Sequence, residues 1–147
     1  MNTLNSAGLS LIEEFEGLSL NAYQDIAGVW TIGYGHTPSF PGQMITAGYA
    51  QVLLKQDTNT FQLAVAAKTH DVATTDNQFS AMVSLAFNIG SGAFAGSTVL
   101  RQHRAGNYDA AAAAFQLWDK AHVDGVLVTV RGLLRRRIAE ANLYLTA

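Results

Sequence analysis

The 147-residue chain, with 49% hydrophobic and 14% charged residues, has the composition of one globular domain. It contains no cysteine, which excludes disulfides, thiolate metal sites and a cysteine nucleophile. The net charge is −2, but residues 101–147 are basic, which predicts either a solvated helix face or attraction to an anionic polymer. Neither a secretory signal pattern nor a run of about 18 apolar residues is present, so we expect a chain made without export and without stable membrane insertion.

The first 42 residues predict a helix followed by a β-hairpin. Asn5 is a good N-cap, and apolar residues at helical spacing predict a helix over about 6–16. The pattern then becomes extended, turns at 25–28, and continues over 29–37 in β-branched and aromatic residues, which is typical of a hairpin. Both prolines of the chain lie in 38–42, which we predict to be a loop.

The rest of the chain predicts helices. Thr46 can cap a long helix that runs toward Lys68, and this helix is long enough to connect two lobes. Residues 77–89 are apolar on nearly all sides and predict a buried central helix. Further helices are predicted over 98–104, 108–118 and 133–145. We therefore expect one α+β domain with a small N-terminal lobe, roughly 1–55, and a helical lobe, 56–147.

Two carboxyl groups in the N-terminal lobe have contrasting surroundings. Glu16 lies at the C-terminal end of the predicted helix, where the helix dipole and nearby Glu13 both disfavour negative charge. Asp25 lies at a turn, where backbone N–H groups can bind a carboxylate. Such contrast is typical of a general acid paired with a base, and Thr31 on the returning strand could hold a water for Asp25. The same residue types also occur as solvated or purely structural groups.

Three stretches of the sequence carry a family resemblance. EGLSLNAYQDIAGVWTIGYGHT, residues 16–37, resembles the active-site signature of bacteriophage-type lysozymes, the endolysin family of glycoside hydrolases. TDNQFSAMVSLAFNIGSGAF, residues 75–94, is similar to the family's central helix, and GLLRRRIAEANLYL, residues 132–145, to its closing helix. The resemblance covers essentially the whole chain. It is weakest in 118–132, which has more β-branched residues than we expect between the last two helices.

The resemblance implies a two-lobed, lysozyme-like α+β fold and hydrolysis of the β-1,4 bond between N-acetylmuramic acid and N-acetylglucosamine in peptidoglycan, without metal or cofactor. In that family a Glu, an Asp nine residues on and a Thr six further form the catalytic triad, and those positions here hold Glu16, Asp25 and Thr31. The implied roles are leaving-group protonation for Glu16 and water activation for the other two, with inversion at the anomeric carbon. Three further residues are implied as substrate-binding: Thr37, Phe87 and Asn88.

Other expectations concern structure and partners. Asp57 is the only acid between residues 26 and 70, so we expect it to form a structural ion pair with His36 near the site. We further expect a monomer that binds peptidoglycan and no nucleic acid. The resemblance implies a start in the host cytoplasm and later release to the cell wall.

Two alternatives from the residues stay open. A transglycosylase on the same scaffold could use Glu16 alone, whereas Asp25 and Thr31 favour hydrolysis. A non-catalytic module that binds wall or nucleic acid would use the C-terminal arginines: Arg131, Arg135, Arg136 and Arg137. They would not form one helix stripe, and we expect at least one to be internal. The four histidines lack the i,i+4 spacing of a zinc helix, which disfavours a zinc hydrolase.

Overall fold

A computed structural model describes all residues, 1–147, as seven α-helices and two separate two-stranded antiparallel sheets. The helices are α1 (Ser6–Glu16), α2 (Ala47–Thr69), α3 (Asp76–Ile89), α4 (Ser91–Ala95), α5 (Thr98–Arg104), α6 (Tyr108–Ala114) and α7 (Arg131–Leu145). The strands are β1 (Ser19–Gln24), β2 (Trp30–Gly33), β3 (Lys120–Val123) and β4 (Val126–Thr129), and a 3-10 helix, Phe115–Trp118, follows α6. The predicted α+β class is confirmed. No helix has both the length and the hydropathy that a membrane span requires.

Close contacts divide the chain into two units whose boundaries fall inside α1 and α2. The smaller unit is Ile12–Thr60, and the larger unit combines Met1–Leu11 with Phe61–Ala147. The first residues of the chain therefore belong with the larger unit. The division into lobes at about residue 55 stays a prediction.

The side-chain caps that the sequence predicts at Asn5 and Thr46 are present, and α3 also begins at a side-chain cap. The Asn5 side-chain oxygen accepts a hydrogen bond from the Gly8 N–H at 3.0 Å at the start of α1. The Thr46 hydroxyl oxygen accepts from the Tyr49 N–H at 3.1 Å at the start of α2. A reciprocal capping box opens α3 at Thr75. These contacts satisfy N–H groups that the first turn of a helix leaves unpaired.

The predicted N-terminal hairpin is present, but its second strand is shorter than expected. The strand predicted over 29–37 ends at Gly33, because residues 33–35 form a tight turn. Two backbone hydrogen bonds between Ile32 and His36, at 3.0 and 2.8 Å, close this turn. Gly33 and Gly35 have φ values of 66° and 80°, which glycine adopts without steric cost. The chain therefore reverses direction directly after β2.

Two elements were not predicted. The glycine-rich segment after α3, for which no helix was predicted, contains the five-residue helix α4. β3 and β4 form a second hairpin between α6 and α7, with Lys120 opposite Thr129. Its turn is Asp124-Gly125, with φ values of 51° and 79°. An Asp-Gly pair between β-branched residues is a strong hairpin signal, so the sequence did contain the information.

The core of the larger unit surrounds α3. The residues of α3 from Phe79 to Ala86 are buried, as the apolar pattern predicted. The largest apolar residues packed in this core are Val65, Phe79, Met82, Val83, Leu85, Phe94, Val99, Leu100, Phe115 and Tyr144.

A buried charge cluster links α7 to α3. The Glu140 carboxylate lies 2.7 Å from Arg137 Nε and 3.3 Å from Arg136 Nε, and it accepts a hydrogen bond from the Ser84 hydroxyl at 2.5 Å. All three charged residues are buried. The expectation that at least one C-terminal arginine is internal is confirmed, and these two arginines are not part of any surface that could bind a polyanion.

His103 is fully buried on α5 and is held in one neutral form by its neighbours. Its Nδ1 lies 2.6 Å from the Tyr144 hydroxyl, and its Nε2 lies 2.8 Å from the Thr74 hydroxyl. The Thr74 hydroxyl donates its proton to the Val72 carbonyl, so Nε2 donates and Nδ1 accepts. Burial, aided by the positive charge of Arg104, lowers the pKa of His103 to about 4.

This histidine predicts loss of stability in acid. An unfolded histidine has a pKa near ~6.5, whereas folded His103 binds a proton only at about pH 4, so stability falls as the pH drops through that interval. The full effect is roughly 3 kcal/mol. We expect the free energy of unfolding, measured with urea between about pH 7 and about pH 4.5, to fall more steeply for the native chain than for His103→Gln. Exposed His122→Gln is the control and should follow the native chain; equal slopes for native and His103→Gln would contradict the prediction.

Candidate active site

Glu16 is the last residue of α1 and lies against the 33–35 turn at the end of β2. Gly17, with φ 73°, ends the helix and donates its N–H to the Glu13 carbonyl at 3.0 Å. Glu16 is half-buried. A Cβ atom built on Gly35 would lie 3.2 Å from Glu16 Oε1. The helix end and the turn therefore bring this carboxyl group close to the backbone at Gly35.

Asp25 is held by the backbone of its own turn, as the sequence predicts. Its Oδ1 accepts hydrogen bonds from the N–H groups of Ala27 and Val29, at 2.9 and 2.8 Å. The side chain is exposed, and Oδ2 makes no hydrogen bond within the protein. One oxygen thus fixes the orientation of the carboxylate, while the other stays available to a ligand or water.

Thr31 and Asp25 are hydrogen-bonded to the same backbone carbonyl. Its hydroxyl donates to the Val29 carbonyl at 2.9 Å, and the Asp25 N–H donates to that carbonyl at 2.9 Å. Thr31 lies opposite Tyr23 in the hairpin and is only 4% exposed. Because its proton is committed to Val29, the Thr31 oxygen can act toward a further group only as an acceptor.

The predicted contact between His36 and Asp57 is present in the structure. His36 Nδ1 lies 2.8 Å from Asp57 Oδ2, and the two side chains are 23% and 30% exposed. His36 also closes the 33–35 turn through its backbone bonds to Ile32. The pair therefore anchors the turn beside Glu16 to α2.

The structure divides the remaining predicted site residues between the two units. Thr37 is exposed and follows His36 in the smaller unit. Phe87 and Asn88 lie in the last turn of α3, in the larger unit. Phe87 is partly buried and packs edge to face on Phe61, with ring centroids 5.2 Å apart, whereas Asn88 is exposed. Substrate binding by these residues stays a prediction.

Two contributors were missed by the sequence analysis. One is the backbone of Val29, whose N–H binds Asp25 and whose carbonyl binds Thr31, and the Asp25–Gly28 turn signal could have indicated it. The other is Gly35, whose closeness to Glu16 depends on the fold of the turn and has no local sequence signal. No group of three or more His, Asp or Glu side chains in residues 1–147 is arranged to hold a metal ion.

Comparison with known proteins identifies the family of the chain. Residues 13–140 match the phage lysozyme family. The chain is 42% identical to the endolysin of Acyrthosiphon pisum secondary endosymbiont phage 1, over 98% of this chain and 99% of that protein. Among solved structures, it is similar to an endolysin from Escherichia coli O157:H7 phage FAHEc1, with a TM-score of 0.92, 44% identity, and coverage of 97% of this chain and 93% of that one. It is also similar to the muramidase domain of SpmX from Asticaccaulis excentricus, with a TM-score of 0.94, 40% identity and complete coverage of both chains. The predicted lysozyme-like fold is confirmed, and the chain belongs to the phage lysozyme family.

Proposed function

We propose that the chain hydrolyses the β-1,4 bond between N-acetylmuramic acid and N-acetylglucosamine, with Glu16 as general acid and with Asp25 and Thr31 activating water. As a phage lysozyme, it is a glycoside hydrolase of the muramidase type that acts on peptidoglycan. The observation that carries the proposed roles is the backbone of Val29, whose N–H binds the Asp25 carboxylate and whose carbonyl accepts from the Asp25 N–H and the Thr31 hydroxyl.

The hydrogen bonds of Asp25 and Thr31 suit them to hold one water molecule. Asp25 Oδ1 is saturated by two backbone N–H groups, which leaves Oδ2 as the basic atom. The Thr31 oxygen can only accept, because its proton goes to Val29. A water that donates one proton to each of these oxygens presents its lone pairs elsewhere, which is what attack on a sugar carbon requires.

Glu16 supplies the proton that the leaving oxygen needs. It is half-buried at the C-terminal end of α1. A protonated carboxyl group can then donate to the glycosidic oxygen as the bond breaks. His36 and Asp57 hold the adjacent turn and take no part in the chemistry.

Hydrolysis fits the site better than a transglycosylase reaction does. A transglycosylase closes a ring within its product and needs no activated water. It therefore does not require a pair of fixed hydrogen-bond acceptors to hold a water molecule. The two hydrogen bonds to Asp25 Oδ1 and the committed proton of Thr31 form such a pair. The products distinguish the two reactions, since only the transglycosylase yields anhydro sugar ends.

Further parts of the proposal concern partners and place of action. The chain works as a monomer on peptidoglycan, starts in the host cytoplasm and is later released to the cell wall. It does not bind nucleic acid, because Arg136 and Arg137 are buried with Glu140 and cannot contact a phosphate backbone.

Replacing the acid tests the central role. Glu16→Gln keeps nearly the same shape but cannot donate a carboxyl proton, so we expect lysis of purified cell walls to fall roughly 100- to 10,000-fold. The matched control is Glu14→Gln, which removes an exposed carboxyl group two residues away and should keep native activity. Retention of more than about half of native activity by a folded Glu16→Gln protein would remove Glu16 from the mechanism.

The anomer formed first tests the water-activating roles. If a water held by Asp25 and Thr31 attacks the face opposite the leaving group, the β-linked substrate gives an α-anomer. Proton NMR of soluble peptidoglycan fragments in the first minutes of digestion should therefore show the α-anomer before mutarotation mixes the two. A β-anomer at early times, or a covalent sugar adduct on Asp25, would refute inversion while leaving the lysozyme assignment intact.

A further inference from the structure

We propose that Gly35 is a positioning residue for the reaction, because its missing side chain leaves the space that the Glu16 carboxyl group occupies. An added Cβ at Gly35 would lie 3.2 Å from Glu16 Oε1, and no other atom lies within 4 Å of it. A side chain at this position would therefore first contact the proposed general acid. The inference rests on the proposed role of Glu16.

The turn that carries Gly35 cannot move away from such a clash. Two backbone hydrogen bonds of 3.0 and 2.8 Å join Ile32 to His36 across the turn, and Ile32 is fully buried. The His36 side chain is bound to Asp57 on α2 at 2.8 Å. Glu16, in contrast, contributes the far end of a flexible side chain. An added methyl group at Gly35 is therefore accommodated by displacement of the Glu16 carboxyl group.

The displacement of the Glu16 carboxyl group is small, but its expected effect on the reaction rate is large. Relief of a 3.2 Å contact requires a shift of a few tenths of an ångström. Catalytic groups need to be placed within about 0.5 Å, and a misplacement of about 1 Å can cost about 100-fold in rate. We therefore expect Gly35→Ala to lower kcat about tenfold. KM should change little, because the proton transfer and not the initial binding of the sugar depends on this carboxyl group.

The chain offers a matched control in the same unit. Gly42 lies in the Pro41-Gly42 turn with φ 83°, close to the 80° of Gly35, and it is also exposed. An added Cβ at Gly42 meets no atom within 4 Å. Alanine at either position has to adopt the same unfavourable backbone conformation, so both variants lose similar stability. Only the variant at Gly35 adds a contact with Glu16.

The experiment compares kcat, KM and the thermal unfolding midpoint of Gly35→Ala and Gly42→Ala on soluble, uncrosslinked peptidoglycan chains. The expected result is similar midpoints, unchanged KM, native kcat for Gly42→Ala and a roughly tenfold lower kcat for Gly35→Ala. If the two variants have the same kcat, the positioning role is refuted. Gly35→Asn covers the case in which Gly35→Ala fails to fold, because asparagine tolerates positive φ yet still carries the Cβ atom.

Two double variants separate this inference from the proposed function. In a Glu16→Gln background, Gly35→Ala should cause no further loss of the residual rate, whereas an undiminished tenfold loss would show that Gly35 acts independently of Glu16. If Glu16→Gln alone stays active, the proposed acid is wrong, whatever Gly35→Ala does. If Glu16→Gln is inactive and Gly35→Ala retains native kcat, the acid stands and only the positioning role fails. The double variant that combines Gly42→Ala with Glu16→Gln checks that the backbone strain of replacing a glycine does not by itself change the residual rate.

Discussion

The backbone of Val29 is the constraint on which the proposed site in the smaller unit depends. Its N–H binds Asp25 Oδ1 at 2.8 Å, and its carbonyl accepts from both the Asp25 N–H and the Thr31 hydroxyl. These are backbone-centred bonds of an ordinary turn, so they form as soon as the hairpin forms and need no separate binding site. The positions of a carboxylate and a hydroxyl from two different strand ends are thereby set by the backbone of one residue. Such backbone control explains how a hairpin with ten strand residues can hold the proposed catalytic groups in place.

The larger unit buries its charges in a different way. Glu140 is surrounded by Arg136, Arg137 and Ser84 inside the protein, so its desolvation is offset by several charge-assisted hydrogen bonds. The removal of one partner from such a cluster leaves the others unpaired in a medium of low dielectric constant. This explains why a basic stretch that looks like an anion-binding surface in the sequence contributes instead to the core. The other two arginines of this stretch, Arg131 and Arg135, are exposed.

Much of the fold followed from the sequence, and the exceptions have physical reasons. The start of α1 and the course of α2 were predictable because Asn5 and Thr46 cap apolar patterns of helical period. The hairpin of β3 and β4 was missed because its strands are exposed and lack the alternating pattern that signals a half-buried strand. Within the proposed site, the roles of Glu16, Asp25 and Thr31 were inferred from the family resemblance of residues 16–37. The closeness of Gly35 to Glu16 was not, since it depends on how a turn meets a helix end 19 residues earlier in the chain.

The composition of the larger unit has a consequence for synthesis on the ribosome. Met1–Leu11 is translated before the rest of its unit, whose remaining residues begin at Phe61 and whose core includes Tyr144. The buried partner of His103 is that same tyrosine. The smaller unit can therefore complete its hairpin while translation continues, whereas the core of the larger unit stays incomplete until Tyr144 has left the exit tunnel. During that interval the first helix turns have no core to pack on, so the enzyme acquires its full structure only after translation of α7.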